Sequence, residues 1–340
     1  LRVVAISGSN GKTSTKDFTR SVLSQKLKVN ATQGNLNNHI GLPLTILATE
    51  GDDEAGVFEM GMNHSGELAP LCEIGRPDVS IITNVGTAHI EHLGSRKAIA
   101  IEKGTVARVL SEKGTLLLPS DCDEAYDFRA STPARVITVG DGEIRAENTV
   151  SGESGSAFDL TIDGLGTKRT SISIVGRHMI SNALLAAGAG FVLGLSLDEI
   201  SAGLTNAELT SGRLRRYLSN GLTVIDDTYN ANPESVIAAL ETLASLPGSG
   251  RRIAALGMMA ELGEHAVEAY PRIGRIARDL GVTLITVGDD ADKYGDDHHF
   301  RNHEEAATWL SNETSPGDIV LFKGSRMAAM DQVMKLTFPE

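Results

Sequence analysis

Three textures of apolar and polar positions divide the chain. Up to about residue 118, short unbroken apolar runs such as Val3-Val4-Ala5-Ile6 alternate with longer mixed stretches. Unbroken runs mark strands buried on both faces, and the mixed stretches mark the helices that cover them. From 134 to 174 apolar and polar residues take turns singly among many Gly, Ser and Thr, as in Phe158-Asp159-Leu160-Thr161-Ile162. That alternation predicts antiparallel strands with one wet face. From 213 onward short apolar runs and helical stretches alternate again.

The elements follow. Strand 3–6 enters a glycine turn, and a helix over 15–27 leaves it. Strand 28–32 leads through an Asn-rich loop to a helix over 42–48. Strand 56–62 precedes a helix beginning near Ser65, and strand 78–86 precedes a helix over 97–110. A short helix covers 122–130, ahead of the alternating region. An Ala-rich helix opens after Gly176-Arg177-His178, and Asp198 is expected to cap another over 199–204. Strand 213–217, an Asn220-Gly221 hairpin turn and strand 222–226 start the last part. Pro233 after a capping Asn232 opens a helix over 233–246. Strands 252–256, 283–287 and 319–322 then alternate with helices 265–280, 304–312 and 327–336. The fold class is α/β. A domain over 1–209 carries a mostly parallel sheet plus a small antiparallel sheet, and a smaller Rossmann-like α/β domain covers 210–340.

Composition narrows the classes of function. The chain has 340 residues, 41% of them hydrophobic and 22% charged, with a net charge of −13. Such an acidic surface argues against nucleic-acid binding and against docking on anionic membranes. The two cysteines, Cys72 and Cys122, lie far apart in no metal-binding spacing, which suits inert thiols in a reducing compartment. The longest greasy stretch, 183–195, is rich in Ala and Gly and reads as a packed helix rather than a membrane span. A cytoplasmic protein is expected. Leu1 lies one step from the first strand, so further residues upstream are expected too.

The strongest chemical signal is Ile6-Ser7-Gly8-Ser9-Asn10-Gly11-Lys12-Thr13-Ser14, set between the first strand and its helix. Glycines let backbone N–H groups approach a phosphate, and the helix N-terminus faces it. Lys12 would reach the outer phosphates and Thr13 would place its hydroxyl on Mg²⁺. A plain glycine turn is the competing reading, and its position after an apolar strand argues against it.

Other candidates stand at strand ends. Glu59 closes strand 56–62 and suits Mg²⁺, which takes one or two carboxylates plus phosphate oxygens. The competing role for Glu59 is to cap the helix near Ser65. The loop Gly34-Asn35-Leu36-Asn37-Asn38 is either a turn tolerant of unusual backbone angles or an amide-rich face for a polar substrate. His89 follows strand 78–86, and His92, three residues on, reads as a surface residue. Lys103, a cation that cannot ligate a metal, reads by spacing as a solvated surface charge.

The compact Gly8-to-Thr13 form departs from the general P-loop and resembles the Mur ligases and their relatives, the folylpolyglutamate and cyanophycin synthetases. Spaced blocks extend the resemblance from about 3 to 336. They include Glu59-Met60-Gly61, Asn84-Val85-Gly86-Thr87-Ala88-His89, Gly212-Arg213 and Asp226-Asp227-Thr228-Tyr229-Asn230-Ala231-Asn232-Pro233. Gly34-Asn35-Leu36-Asn37-Asn38, Gly176-Arg177-His178, Met259-Ala260-Glu261-Leu262-Gly263 and Lys323-Gly324-Ser325-Arg326 complete the set. The Asp-Asp-Thr-Tyr, Ala-Glu-Leu-Gly and Lys-Gly-Ser-Arg blocks resemble the Mur ligases that join D-Ala-D-Ala to UDP-N-acetylmuramoyl-tripeptide.

The resemblance implies a P-loop ATPase-like first domain and an ATP-dependent amide ligase of peptidoglycan synthesis, working through an acyl phosphate. It implies that Lys12 and the amides of Gly8, Ser9, Asn10, Gly11, Thr13 and Ser14 hold ATP. Thr13 and Glu59 would hold one Mg²⁺, and His89 and a CO₂-derived carbamate on Lys103 would help hold a second. Lys12, Lys103 and His89 would carry catalysis. Asn182 would contact adenine, Arg213 and Asp227 the phosphate and ribose, and Asn35 and Asn38 the muramyl peptide. A monomer is expected. Met179, Met258 and His39 depart from the family pattern, and the family's N-terminal UDP-binding domain is not part of this sequence. Two alternatives follow: a related carboxylate–amine ligase with another substrate, or an ATP-binding fragment without its UDP domain.

Overall fold

The unbroken apolar runs become the interior of a parallel sheet. The computed structural model describes residues 1–152, 155–295 and 297–339. They divide into two compact units, Leu1–Thr210 and a second from Ser211 onward. The first unit begins with β1 (Arg2–Ser7), α1 (Lys12–Leu23), β2 (Val29–Ala31), α2 (Gly41–Leu47), β3 (Ala55–Glu59), α3 (Leu68–Gly75) and β4 (Val79–Ile82). It continues with α4 (Ile90–Leu93), α5 (Arg96–Lys103), α6 (Thr105–Arg108), β5 (Thr115–Pro119), α7 (Ala125–Ser131) and β6 (Arg135–Val139). It ends with β7 (Ile144–Gly152), β8 (Gly155–Ile162), β9 (Gly166–Ile172), α8 (Arg177–Val192) and α9 (Leu197–Thr205).

Among the described residues these strands form one nine-stranded sheet, ordered β2-β3-β1-β4-β5-β6-β7-β8-β9. β2 through β6 pair in parallel, and β7, β8 and β9 pair antiparallel. One face buries Phe58, Met60, Ile82 and Leu116 with Leu71, Val106 and Phe128 from α3, α6 and α7. On α8, a Cβ at Gly188 would meet Leu117 Cδ2 at 2.8 Å, and one at Gly190 would meet Val22 Cγ1 of α1 at 2.7 Å. The glycines of the greasy helix therefore let it lie close on the sheet and on α1. β1 sits between β3 and β4, where the chain passes from one side of it to the other. Ligands of open α/β sheets gather at such a switch, beyond the carboxyl ends of the strands. Here those ends are Ser7, Glu59 and Ile82.

The second unit holds β10 (Arg215–Ser219), β11 (Leu222–Asp227), α10 (Pro233–Ser245), β12 (Arg252–Gly257), α11 (Ala266–Asp279), β13 (Thr283–Val287), β14 (His298–Phe300), α12 (His303–Glu313), β15 (Ile319–Lys323) and α13 (Met330–Thr337). Its sheet order is β10-β11-β15-β12-β13-β14, parallel except for the β10–β11 hairpin. Asn220 and Gly221 turn that hairpin with φ of 51° and 80°, as a tight turn of this sequence requires. Asn232 caps α10 through the Ser235 N–H, with Pro233 at the first helical position.

Several expected bounds shift. α1 starts at Lys12, directly from the loop, and ends at Leu23 rather than 27. The helix over 97–110 breaks at Gly104, where a side chain would press on Arg108 and Phe128 at 3.0 and 3.1 Å. β6 is parallel to β5, because α7 forms a crossover between them. Within the region expected to be antiparallel, β7 to β9 pair that way, and they continue the main sheet. Ser196, not Asp198, caps α9: Ser196 is extended and exchanges bonds with Glu199 in a capping box. The second helix of the second unit, α11, is preceded by a short 3-10 turn, Gly263–His265, and the last by another, Arg326–Ala328. The three-residue edge strand β14 lies outside every predicted strand.

Candidate active site

The loop between β1 and α1 is braced from β4. Thr83 Oγ1 donates to the Asn10 carbonyl at 2.5 Å, and the Asn10 N–H donates to Asn84 Oδ1 at 2.9 Å. Asn84 Nδ2 returns a bond to the Asn10 carbonyl at 3.1 Å, and Gly86 N–H donates to Ser9 Oγ at 2.8 Å. The Asn84-Val85-Gly86 block thus shapes the loop. Gly8 has φ +146°, and a Cβ there would fall 1.8 Å from Thr83 Oγ1. Lys12 folds back on its own loop, donating to the Gly8 and Ser9 carbonyls at 2.8 and 3.3 Å. Thr13 and Ser14 open α1 in buried positions.

Directly below, Thr13 Oγ1 donates to Glu59 Oε2 at 2.8 Å, and Asn37 Nδ2 donates to Glu59 Oε1 at 2.8 Å. Glu59 is 3% exposed. It does not cap α3: the Gly66 and Leu68 N–H groups at that helix start donate to Glu102 instead, at 2.9 Å each. Among the described residues no three His, Cys, Asp or Glu side chains cluster as a metal cage. One buried carboxylate touching a hydroxyl beside a phosphate loop is nonetheless the donor set Mg²⁺ uses when phosphates supply the remaining oxygens. The residues fit the ion.

Lys103 is no surface charge. It closes α5 with 1% exposure. Spacing missed this because Lys97 to Leu110 is not one amphipathic helix and α5 is covered on the side that carries Lys103. Burial pushes its amine well below the ordinary lysine range; the nearby Lys12 ammonium pushes the same way, and Glu102 works against both. His89 is half-buried at φ 65°, at the start of α4. His92 is exposed and lies against His64, ring centroids 4.7 Å apart.

The remaining candidates separate. Asn182 on α8 is 5% exposed and lies under the loop: a Cβ on Gly11 would meet its Oδ1 at 2.5 Å. Its Nδ2 lies 3.6 Å from Met179 Sδ. Asn35 is exposed. Asn38 is exposed too, and its Oδ1 accepts the Ile40 and Gly41 N–H groups at 3.1 and 2.9 Å, opening α2. In the second unit the Arg213 guanidinium lies 4.1 Å from the Tyr229 ring centroid. Asp227 accepts from Lys323 Nζ at 2.6 Å and from the Leu214 N–H at 3.2 Å. Lys323 Nζ also donates to the Asn230 carbonyl at 2.9 Å. Burial pushes the Asp227 carboxyl up, and Lys323 opposes it. The residues that sequence reasoning passed over are therefore Asn37, Glu102 and Lys323. Each stood inside a singled-out stretch, but a contact across the fold, not spacing, gives it a task.

The thiols are inert by environment. Burial pushes Cys72 up to about 12 and Cys122 up to about 11. Among the described residues no helix is long and apolar enough to cross a membrane.

Comparison with known proteins agrees with this geometry. Residues 6–190 match the Mur ligase middle domain, and residues 212–326 match the Mur ligase, glutamate ligase domain. The UDP-N-acetylmuramoyl-tripeptide–D-alanyl-D-alanine ligase of Bacillus subtilis is 34% identical over 350 residues, covering 98% of this chain and 75% of the relative. The crystal structure of MurF from Acinetobacter baumannii superposes with a TM-score of 0.94 at 30% identity, over 100% of this chain and 77% of that one. MurF from Thermotoga maritima in complex with ADP gives 0.90 at 28% identity, over 99% and 79%. The chain belongs to the Mur ligase family.

Proposed function

We propose that this chain is an ATP-dependent ligase that joins the carboxylate of UDP-N-acetylmuramoyl-tripeptide to the amine of D-Ala-D-Ala, forming ADP and phosphate, in peptidoglycan precursor synthesis. The observation that carries the reading is the Thr13–Glu59 bond at 2.8 Å directly under a braced phosphate loop. A phosphate-binding loop with its own metal carboxylate suits phosphoryl transfer, and the relatives named above supply the substrates. Lys12 and the N–H groups of Gly8 and of Gly11 to Ser14 hold the β- and γ-phosphates, while the expected Ser9 and Asn10 N–H donors are instead given to Asn84 and shape the loop. Thr13 and Glu59 hold one Mg²⁺; His89 and Lys103 serve a second. Bound Mg²⁺ offsets charge on the transferring phosphoryl group. Asn182, Arg213 and Asp227 contact the nucleotide, and Asn35 and Asn38 the muramyl peptide.

The order of bond changes follows from the chemistry. A peptide carboxylate oxygen takes the γ-phosphoryl group and ADP leaves. The amine of the dipeptide attacks the resulting acyl phosphate, loses a proton, and phosphate departs with its bridging oxygen. No side-chain nucleophile is required, so positioning and electrostatics carry the rate. Lys103 joins in as its carbamate. Carbamylation needs a neutral amine, and the lowered basicity of the buried Lys103 raises the share of that form. The reading also puts the enzyme in the cytoplasm as a monomer; two free, unreactive cysteines accord with a reducing compartment.

Amine selectivity tests the substrate assignment. With UDP-N-acetylmuramoyl-tripeptide as acceptor, ADP formation with D-Ala-D-Ala is expected to exceed that with L-glutamate or L-aspartate by about a hundredfold or more. Equal rates with glutamate would move the chain toward the folylpolyglutamate type of ligase.

A further inference from the structure

Glu59 closes β3 with a carboxylate that must present one oxygen to a cation. The last torsion of a glutamate side chain is broad, so nothing within the residue fixes the carboxylate plane. Two outside donors do so here: Thr13 Oγ1 at Oε2 and Asn37 Nδ2 at Oε1, each at 2.8 Å. An ionised carboxylate only accepts, so the Asn37 amide must turn its NH₂ toward it.

Asn37 is itself held on several sides. Its carbonyl accepts the Gly61 N–H at 2.8 Å, and its own N–H donates to the Asn35 carbonyl at 2.8 Å. A Cβ on Gly61 would stand 3.0 Å from the Asn37 amide atoms, so the glycine of the Glu59-Met60-Gly61 block leaves room for that amide. Its neighbours cannot substitute for it: Asn35 is exposed, and Asn38 Oδ1 is engaged at the start of α2. A neutral amide also suits the task. A lysine or arginine at this place would compete with Mg²⁺ for the carboxylate, and an acid would repel it.

We infer that Asn37 is the positioning residue of the metal-binding carboxylate: its amide fixes Glu59 at Oε1 and leaves Oε2, beside Thr13, to the cation. The inference rests on the proposed role of Glu59 as a Mg²⁺ ligand. It also ties the loop at 34–40, proposed to face the muramyl peptide, to the metal site through one side chain.

Mn²⁺ in place of Mg²⁺ gives a readout apart from turnover. The full chain is titrated with Mn²⁺ in the presence of ADP, and free Mn²⁺ is followed by electron paramagnetic resonance. Asn37→Leu, close in volume but without a donor, is expected to weaken Mn²⁺ binding about tenfold or more. The melting temperature and ADP binding without metal should stay near wild type. Gly61→Ala, which keeps the amide but crowds it, should fall between wild type and Asn37→Leu; it also serves if Asn37→Leu does not fold. In a Glu59→Gln background, loss of Asn37 should weaken Mn²⁺ binding no further. Wild-type affinity in Asn37→Leu or Gly61→Ala, with Glu59→Gln weakened, would overturn the inference. Wild-type affinity in Glu59→Gln would instead remove the metal role of Glu59, and the inference with it.

Discussion

Lys12→Ala is expected to lower ligation about a thousandfold, the scale on which a preorganised donor to developing charge acts. The side chain is half-exposed, and its ammonium donates to two loop carbonyls, at 2.8 and 3.3 Å. Those carbonyls can take water instead, so the melting temperature should move little. Phosphates would draw Lys12 off the carbonyls, because a charge-assisted bond to an anion is stronger than one to a neutral acceptor. Lys12→Arg should not restore activity. The guanidinium fork is larger and rigid, and the loop is closed by Thr83 and Asn84 on its other side. Steady-state rates with a melting curve for each variant check this. Activity within tenfold of wild type in Lys12→Ala would remove Lys12 from the phosphoryl-transfer step.

Lys103→Met is expected to abolish turnover while making the fold more stable. The activity loss, again about a thousandfold, would follow from loss of the proposed carbamate. In Lys103→Ala, acetate or propionate should restore part of the rate by placing a carboxylate in the vacated space. The stability gain follows from burial. In CO₂-free buffer the folded chain holds Lys103 with its basicity lowered, so above its folded value the unfolded chain binds more protons at this residue. Stability from this group therefore rises with pH between its folded value and about 10.4, the ordinary lysine value. Below that window the wild type carries a full penalty that methionine, similar in length and apolar, does not. The variant should be more stable by on the order of 1–2 kcal/mol near neutral pH, with the difference shrinking toward pH 10. Melting temperatures at several pH values read this directly. A variant less stable than wild type at pH 6 would show that Lys103 is paired in the folded state rather than penalised.

Much of this architecture was legible because the strongest local signals were consistent with each other. The unbroken apolar runs, the glycine turn and the Asn220-Gly221 hairpin each have a single structural solution. The phosphate loop was legible for the same reason: Gly8 and Gly11 occupy backbone angles and clearances that only glycine meets. What escaped was set by contacts between distant segments. Glu102 is an acid on a helix, and nothing local says that it receives the start of α3. Lys103 looks solvated until α5 is seen covered. Asn35, Asn37 and Asn38 are chemically alike, and only the approach of β3 singles out Asn37 while the start of α2 engages Asn38. β6 could have been read as parallel, since a helix was already expected between it and β5.

The central claim is that phosphoryl transfer from ATP at this loop is committed to joining one carboxylate to one amine. The measurement that tests it most directly is phosphate release from ATP and Mg²⁺. UDP-N-acetylmuramoyl-tripeptide and D-Ala-D-Ala are supplied singly and together, and Lys12→Ala serves as the control. The account predicts sustained release only with both substrates, matched by amide product, and none in the variant. ATP binding without release when both are present, or release that ignores them, would contradict it.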